Sequence, residues 1–311
     1  MEFRHVSVLK EESIECLNVK ENGIYVDGTL GGGGHSLCVL EKLNGTGKLI
    51  GIDRDKEAIN AAKKRLEERY SNFVIVNDNH ENMVEILQNL NIQGVDGILL
   101  DLGVSSYQLD EASRGFSYMA DAPLDMRMNR EDKLTAFDVV NKYSEEELIE
   151  IFFEYGEEKY SKSIARQIVK ERQEKEIATT LELVEVIKRA VPKKALVDKG
   201  HPAKRVFQAI RIEVNGELVK LKETIIEAGK MLNPGGRFAV ISFHSLEDRI
   251  VKKAFEELQG KCTCPSNFPK CICGYVSYGK VITKKPIIPN DREMEENPRA
   301  KSSKLRVFEK T

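Results

Sequence analysis

Asp27-Gly28-Thr29-Leu30-Gly31-Gly32-Gly33-Gly34-His35-Ser36 is the stretch on which the reading of this chain turns. It follows a short apolar run, Ile24-Tyr25-Val26, that ends on an acid. Glycines at such a place let the backbone turn sharply and let a ligand approach without a Cβ in the way. A helix starting there offers free N–H groups to an anionic or polar ligand. Downstream, Leu49-Ile50-Gly51-Ile52 reads as a second strand ending at Asp53, 20 residues after Gly33. A carboxylate at that spacing can take both hydroxyls of an adenosine ribose. The alternative is a tight turn beside an exposed Asp, for which four successive glycines are costly.

Working outward, Lys56 to Tyr70 places Ala58, Ile59, Ala62 and Leu66 on one helical face. Phe73-Val74-Ile75-Val76 and Ile98-Leu99-Leu100 read as further strands, the latter ending at Asp101. Strands alternating with helices predict an α/β domain with a mostly parallel sheet covered on both faces. The alternation then stops, and Ser144 to Val191 has helical periodicity throughout. The strand pattern resumes at Phe238-Ala239-Val240-Ile241 after the turn Asn233-Pro234-Gly235-Gly236, and Leu305-Arg306-Val307-Phe308 reads as a closing strand. A helical insertion in an α/β domain accounts for this order.

The chain has 311 residues, 41% hydrophobic and 32% charged. That length suggests about two domains of ~150 residues, and the apolar content excludes a disordered chain. No apolar run approaches the ~20 residues of a membrane span, and Met1-Glu2-Phe3-Arg4-His5 lacks the apolar core of a signal peptide. The expectation is a cytoplasmic protein with no membrane partner. The net charge of −2 hides an uneven distribution. Residues 1–158 carry 16 basic and 31 acidic side chains, residues 159–211 carry 14 and 6, and residues 279–311 carry 9 and 5. The basic stretches are either solvated helix faces or the footprint of a polyanion.

Which adenosine cofactor the turn takes is also legible. Ser36 stands where a dehydrogenase fingerprint needs its third glycine, and no Walker lysine follows the glycines. Asp27 before the turn and Asp101-Leu102-Gly103 after the fourth strand fit an S-adenosylmethionine fold better.

The chain resembles the bacterial ribosomal RNA small subunit methyltransferase H family nearly end to end. The matching words include Asp27 to Ser36, Asp96-Gly97-Ile98-Leu99-Leu100-Asp101-Leu102-Gly103-Val104-Ser105-Ser106, Arg114-Gly115-Phe116-Ser117 and Pro123-Leu124-Asp125-Met126-Arg127-Met128. They continue through His201-Pro202-Ala203, Phe207 to Ile212, Ile241-Ser242-Phe243-His244-Ser245-Leu246-Glu247-Asp248-Arg249 and Asn297-Pro298-Arg299-Ala300. The resemblance implies a class I, Rossmann-like S-adenosylmethionine-dependent sheet with an inserted helical domain. It implies methylation of the N4 amine of a cytosine in the decoding region of 16S ribosomal RNA, the RNA standing within the small subunit or its precursor. The expected division is a discontinuous methyltransferase domain, 1–110 and 203–311, around a substrate-recognition insertion, 111–202.

The same resemblance implies cofactor contacts at Gly33, Gly34, His35, Asp53, Asp101 and Gln108. His80 stands where relatives often carry an aromatic residue, and its ring can likewise lie against the adenine; a solvent-exposed loop histidine is the other reading. Asp101 is the candidate catalytic residue, because an acceptor bonded to the amine N–H localises its lone pair toward the methyl group. The alternative is that Asp101 serves only the cofactor. His244 to Arg249 reads as a base or phosphate contact, or as a helix cap with Ser245 at the cap and Asp248 three residues on. The arginines of Pro123–Met128 and His201–Arg211 either clamp phosphates or bind local carboxylates.

Of six cysteines, Cys262, Cys264, Cys271 and Cys273 fall within twelve residues. They are a candidate zinc site or free thiols, each pair being C-x-C where C-x-x-C is usual. A small-molecule or DNA methyltransferase would need no large basic insertion. A noncatalytic RNA-binding relative would tolerate loss of Asp53 and Asp101, yet both are present.

Overall fold

The computed structural model describes residues 7–197, 200–260, 264 and 274–311. They form two compact units, Met1–Gly103 with Leu218–Thr311, and Val104–Glu217.

The first unit is built on a seven-stranded sheet. Its strands are β1 (Ile24–Asp27), β2 (Lys48–Asp53), β3 (Phe73–Asn77), β4 (Val95–Asp101), β5 (Leu232–Ser242), β6 (Gly279–Val281) and β7 (Lys304–Lys310), in spatial order β3-β2-β1-β4-β5-β7-β6. β1 to β5 pair in parallel, and β7 runs antiparallel between β5 and β6. This is the Rossmann-like α/β arrangement that the strand–helix alternation predicts. The order reverses between β1 and β4, so the carboxyl ends of these strands form the topological switch point where such sheets bind ligands.

Side-chain alternation makes the sheet two-faced. Val26, Ile50, Ile52, Ile98, Leu100, Phe238, Val240 and Phe308 share one core with the helices Met83–Asn89, Leu221–Lys230 and Ser245–Gln259. Tyr25, Leu49, Leu99, Ala239, Ile241, Leu305 and Val307 share the other with Lys10–Leu17, Gly34–Leu43 and Lys56–Glu67. Burial on both faces explains why the strands read as continuous apolar runs. The Asn233–Gly236 turn lies inside β5 as an irregularity: Val95 pairs with Leu232, and Gly97 with Arg237. Gly235 takes the positive φ there, +77°.

The second unit has its own apolar core, with Phe152, Ile164, Ile168, Leu183, Ile187, Val206 and Ile210 all buried. Its helices include Ala136–Lys142, Glu145–Glu154, Ser161–Arg172, Thr180–Ala190 and Lys204–Asn215. Three of them start in reciprocal capping boxes, Thr135 with Asp138, Ser144 with Glu147 and Thr179 with Glu182. The unit is wider than the expected 111–202. The reason is the helix Lys204–Asn215, which buries Val206, Phe207, Ala209 and Ile210 in this core.

A loop of the second unit is held by polar side chains. Arg114, 1% exposed, donates to the carbonyls of Arg127 and Met128, both at 2.9 Å. Asn215 accepts from the Met128 N–H at 2.8 Å and donates to the Met126 carbonyl at 2.8 Å. Met126 sits at φ +58°, a conformation that persists for a bulky side chain only where its surroundings dictate it. Among the described residues no helix is long and apolar enough to cross a membrane.

Asn215→Ala leaves the Met128 N–H and the Met126 carbonyl buried without this partner. Each such group costs about 1–3 kcal/mol, so the second unit should lose about 2–6 kcal/mol. Denaturant titration followed by a probe in this unit checks it; an unchanged midpoint would show that the clamp contributes nothing.

Candidate functional site

The turn after β1 is stitched to the ends of two neighbouring strands. Gly28 N–H donates to the Leu99 carbonyl of β4 at 2.9 Å, and Leu30 N–H to the Ile52 carbonyl of β2 at 3.0 Å. Gly31 N–H donates to Asp53 Oδ2 at 2.7 Å, while the Asp101 N–H donates to Thr29 Oγ1 at 2.6 Å. Gly31 and Gly33 adopt φ of +48° and +73°, which a side chain would strain. A Cβ on Gly34 would overlap the Ser7 hydroxyl. Gly33 caps the helix Gly34–Leu43, whose first backbone bond runs from Leu37 N–H to the Gly33 carbonyl. The N–H groups of Gly34, His35 and Ser36 therefore precede that bond and have no helical acceptor.

Three carboxylates meet this turn at the strand ends. Asp27 is buried and accepts from Ser36 Oγ at 2.7 Å and from the Thr29 N–H at 3.2 Å. Burial raises its pKa, against the pull of these bonds and of His35. Asp53 takes the Gly31 N–H on Oδ2 and the Asp55 N–H on Oδ1, the latter at 2.8 Å. Burial dominates there too, and its carboxyl is pushed up to about 6. Asp101 lies with Oδ2 3.5 Å from His35 Nε2. Its Oδ1 and both His35 ring nitrogens are buried without a hydrogen-bond partner among the described residues.

His80 opens a short 3₁₀ turn, His80–Asn82, after β3. A Cβ on Gly28 would stand 3.4 Å from the His80 Cβ, so this ring lies at the same edge as the glycine turn. It is half-buried, and desolvation, then the Arg54 charge, lowers its pKa to about 4. The solvent-exposed loop histidine is thereby set aside.

The structure thus brings Gly33, Gly34, His35, Asp53, His80 and Asp101 to one edge of the first unit. Gln108 belongs to the second unit. There it is buried, its Oε1 accepting from the Ser105 N–H and its N–H donating to Ser105 Oγ. At the other flank the helix cap is His244, not Ser245. The His244 Nδ1 accepts from the Glu247 N–H, and Glu247 Oε2 accepts from the His244 N–H. Asp248 instead accepts from Arg306 Nε at 2.6 Å and from Lys304 at 3.1 Å. The arginines resolve similarly: Arg127 pairs with Asp125, and Arg211 makes two hydrogen bonds to Glu217. Of the cysteine cluster, only Cys264 lies within the described residues, so the zinc site falls outside them. Among those described, no group of His, Cys, Asp and Glu is arranged to hold a metal ion.

The model of the MraW methylase family matches residues 2–311. Ribosomal RNA small subunit methyltransferase H of Clostridium botulinum (strain Loch Maree / Type A3) is 60% identical over 310 residues, covering 100% of each chain. Ribosomal RNA small subunit methyltransferase H 2 of Agathobacter rectalis is 55% identical over 311 residues, covering 100% of this chain and 99% of its own. The chain belongs to the MraW methylase family. It is an enzyme, a methyltransferase, and its methyl donor is S-adenosylmethionine. The edge fits that donor. Free helix N–H groups suit a carboxylate, Asp53 suits ribose hydroxyls, and Asp101 Oδ1 is an orphaned acceptor.

His80 should titrate with a midpoint of about 4 and stay neutral above about pH 5. NMR of the imidazole checks it, and a midpoint near the ordinary histidine value would remove the burial that suits it to lie against a neutral ring.

Proposed function

We propose that this methyltransferase acts on the N4 amine of a cytosine in the decoding region of 16S ribosomal RNA, within the small subunit or its precursor in the cytoplasm. The carrying observation is the convergence of the glycine turn, Asp53 and Asp101 on the carboxyl ends of β1, β2 and β4. Family membership, with relatives named for small-subunit ribosomal RNA, supports the substrate.

The bound donor supplies an electrophilic methyl group on a sulfonium. Everything else falls to the chain. Gly33, Gly34 and His35 present the helix N-terminus to the donor's carboxylate. Asp53 accepts from the ribose hydroxyls, and its own two backbone donors fix both oxygens in place. The neutral His80 ring lies against the adenine. A cytosine amine is a poor nucleophile because its lone pair is delocalised into the ring. Asp101 Oδ1 accepts from the amine N–H and so localises that pair toward the methyl group.

The substrate role of the second unit rests on exposed cations outside the paired arginines. Lys162, Arg166 and Lys170 recur every four residues along Ser161–Arg172 and are exposed, with Lys159 just before them. That spacing puts them on one helical face. Arg166 lies 3.7 Å from Glu145, a loose surface pair. Such a row positions RNA through its phosphates without reading sequence.

Asp53→Ala should weaken donor binding by roughly 10- to 150-fold, since a bond to a charged acceptor is worth ~1.5–3 kcal/mol. In the wild type, affinity should also fall as pH drops below about 6. The free carboxyl then takes a proton that binding must expel, so the loss approaches about tenfold per pH unit. Calorimetry across pH tests both. Equal affinities, or a pH dependence retained in Asp53→Ala, would overturn the ribose assignment.

Replacing Lys162, Arg166 and Lys170 together by Gln should weaken RNA binding. It should also flatten the dependence of log K on log salt by about 2–3 units, one phosphate contact being worth ~0.7–0.9. Filter binding to the small subunit at several salt concentrations reads it. An unchanged slope would leave this row a solvated helix face.

A further inference from the structure

His35 is 5% exposed, and the elements around it carry several charges. Asp101, from the end of β4, faces its Nε2 at 3.5 Å, an ion-pair distance longer than a direct hydrogen bond. Asp27, from the end of β1, and Lys10, from the helix Lys10–Leu17, are the other charged groups acting on it. Asp27 and Asp101 repel one another across this cluster. Asp27 and His35 are buried, and Asp101, its side chain 22% exposed, keeps its Oδ1 buried. The side chain that acts on both carboxylates is the His35 imidazole.

We propose that His35 is a positioning residue for the transfer, its Nε2 facing Asp101 Oδ2 and so leaving the buried Oδ1 as acceptor of the proton the amine loses. This rests on the reading of Asp101 as the group facing the cytosine amine. The step balances without any further reactant. The N–C bond forms, the S–C bond breaks with its pair passing to sulfur, and one N4 proton moves to Asp101 Oδ1. His35 stays in place on Oδ2. Its pKa is raised above the ordinary histidine value: burial opposes the charge, but Asp101 and Asp27 outweigh that.

The experiment has three arms. In the first, NMR follows the His35 imidazole in wild type and in Asp101→Asn. The wild-type midpoint should lie above the ordinary value and should drop by about a unit in the variant. In the second, calorimetry of donor binding to His35→Gln should stay within about threefold of wild type at neutral pH, because the backbone N–H groups of the turn remain. In the third, the single-turnover rate of His35→Gln should fall by about tenfold or more while donor affinity holds. Gln keeps a donor but carries no charge, so a purely structural hydrogen bond would leave that rate where it was. A His35 midpoint indifferent to Asp101, or an unchanged single-turnover rate, overturns the proposal. A wild-type protein that binds the donor but methylates no cytosine would instead overturn the substrate reading on which it rests.

Discussion

The interaction on which the site depends is backbone pairing between the turn after β1 and its two neighbouring strands. A turn of six residues, Gly28 to Gly33, four of them glycine, has little side-chain packing of its own and a large entropic cost of ordering. Here it is fixed from both sides. The Leu99 carbonyl and the Asp101 N–H hold it on the β4 side, and the Ile52 carbonyl and the Asp53 carboxylate hold it on the β2 side. Two of these four contacts use the candidate site residues themselves. Asp53 is therefore both part of the scaffold and part of the candidate site: one lone pair of Oδ2 goes to Gly31 and one of Oδ1 to Asp55, which leaves one on each oxygen for a ligand. Any change at Asp53 acts on the turn as well as on the ligand.

The same economy concentrates charge where solvation is poor. Burial raises the carboxyl pKa of both Asp27 and Asp53. Such groups are costly in the free protein at neutral pH, where the charged form is desolvated. Donated hydrogen bonds from Ser36, Thr29, Gly31 and Asp55 offset part of that cost. On the proposed reading of the site, a cationic sulfonium and donating hydroxyls would supply the rest. Binding and relief of charge strain are thus coupled, which is the usual logic of perturbed groups gathered at one cleft.

How much of this was legible in the sequence divides along physical lines. The sheet was legible because each parallel strand is buried on both faces and stops at a polar residue, as Ile24–Asp27, Lys48–Asp53 and Val95–Asp101 do. Gly33, Gly34, His35, Asp53 and Asp101 follow from where those strands stop. What was illegible depends on contacts distant in sequence. Nothing near Gly34 announces that Ser7 occupies the space of its missing Cβ. The His35–Asp101 pair joins residues 66 positions apart, which only strand order brings together. The cap at His244 was displaced by one residue because Glu247, not Asp248, turns back to the backbone. Asp248 is drawn away by Arg306 and Lys304, which outweigh burial and hold its carboxyl below its usual range.

The arginines carry the most general lesson, because residues that recur in recognisable words invite a functional reading. Arg114 spends its guanidinium on the carbonyls of Arg127 and Met128, and Arg127 spends its own on Asp125 and on the carbonyls of Arg130 and Asp132. A guanidinium is suited to this because its planar fork satisfies several acceptors at once and cannot lose its charge. These pairs define the loop around Met126, where the backbone takes an unfavourable φ that no local preference of the sequence would select. Phosphate binding asks for the opposite: a solvated cation on a mobile stem, with its counterions free to leave. Lys162 and Lys170 meet that description, although they lie outside the matching words. Arg114 and Arg127, in words that make the family recognisable, therefore build the shape of the second unit, while the proposed attraction for RNA would fall to surface positions that many basic side chains would serve.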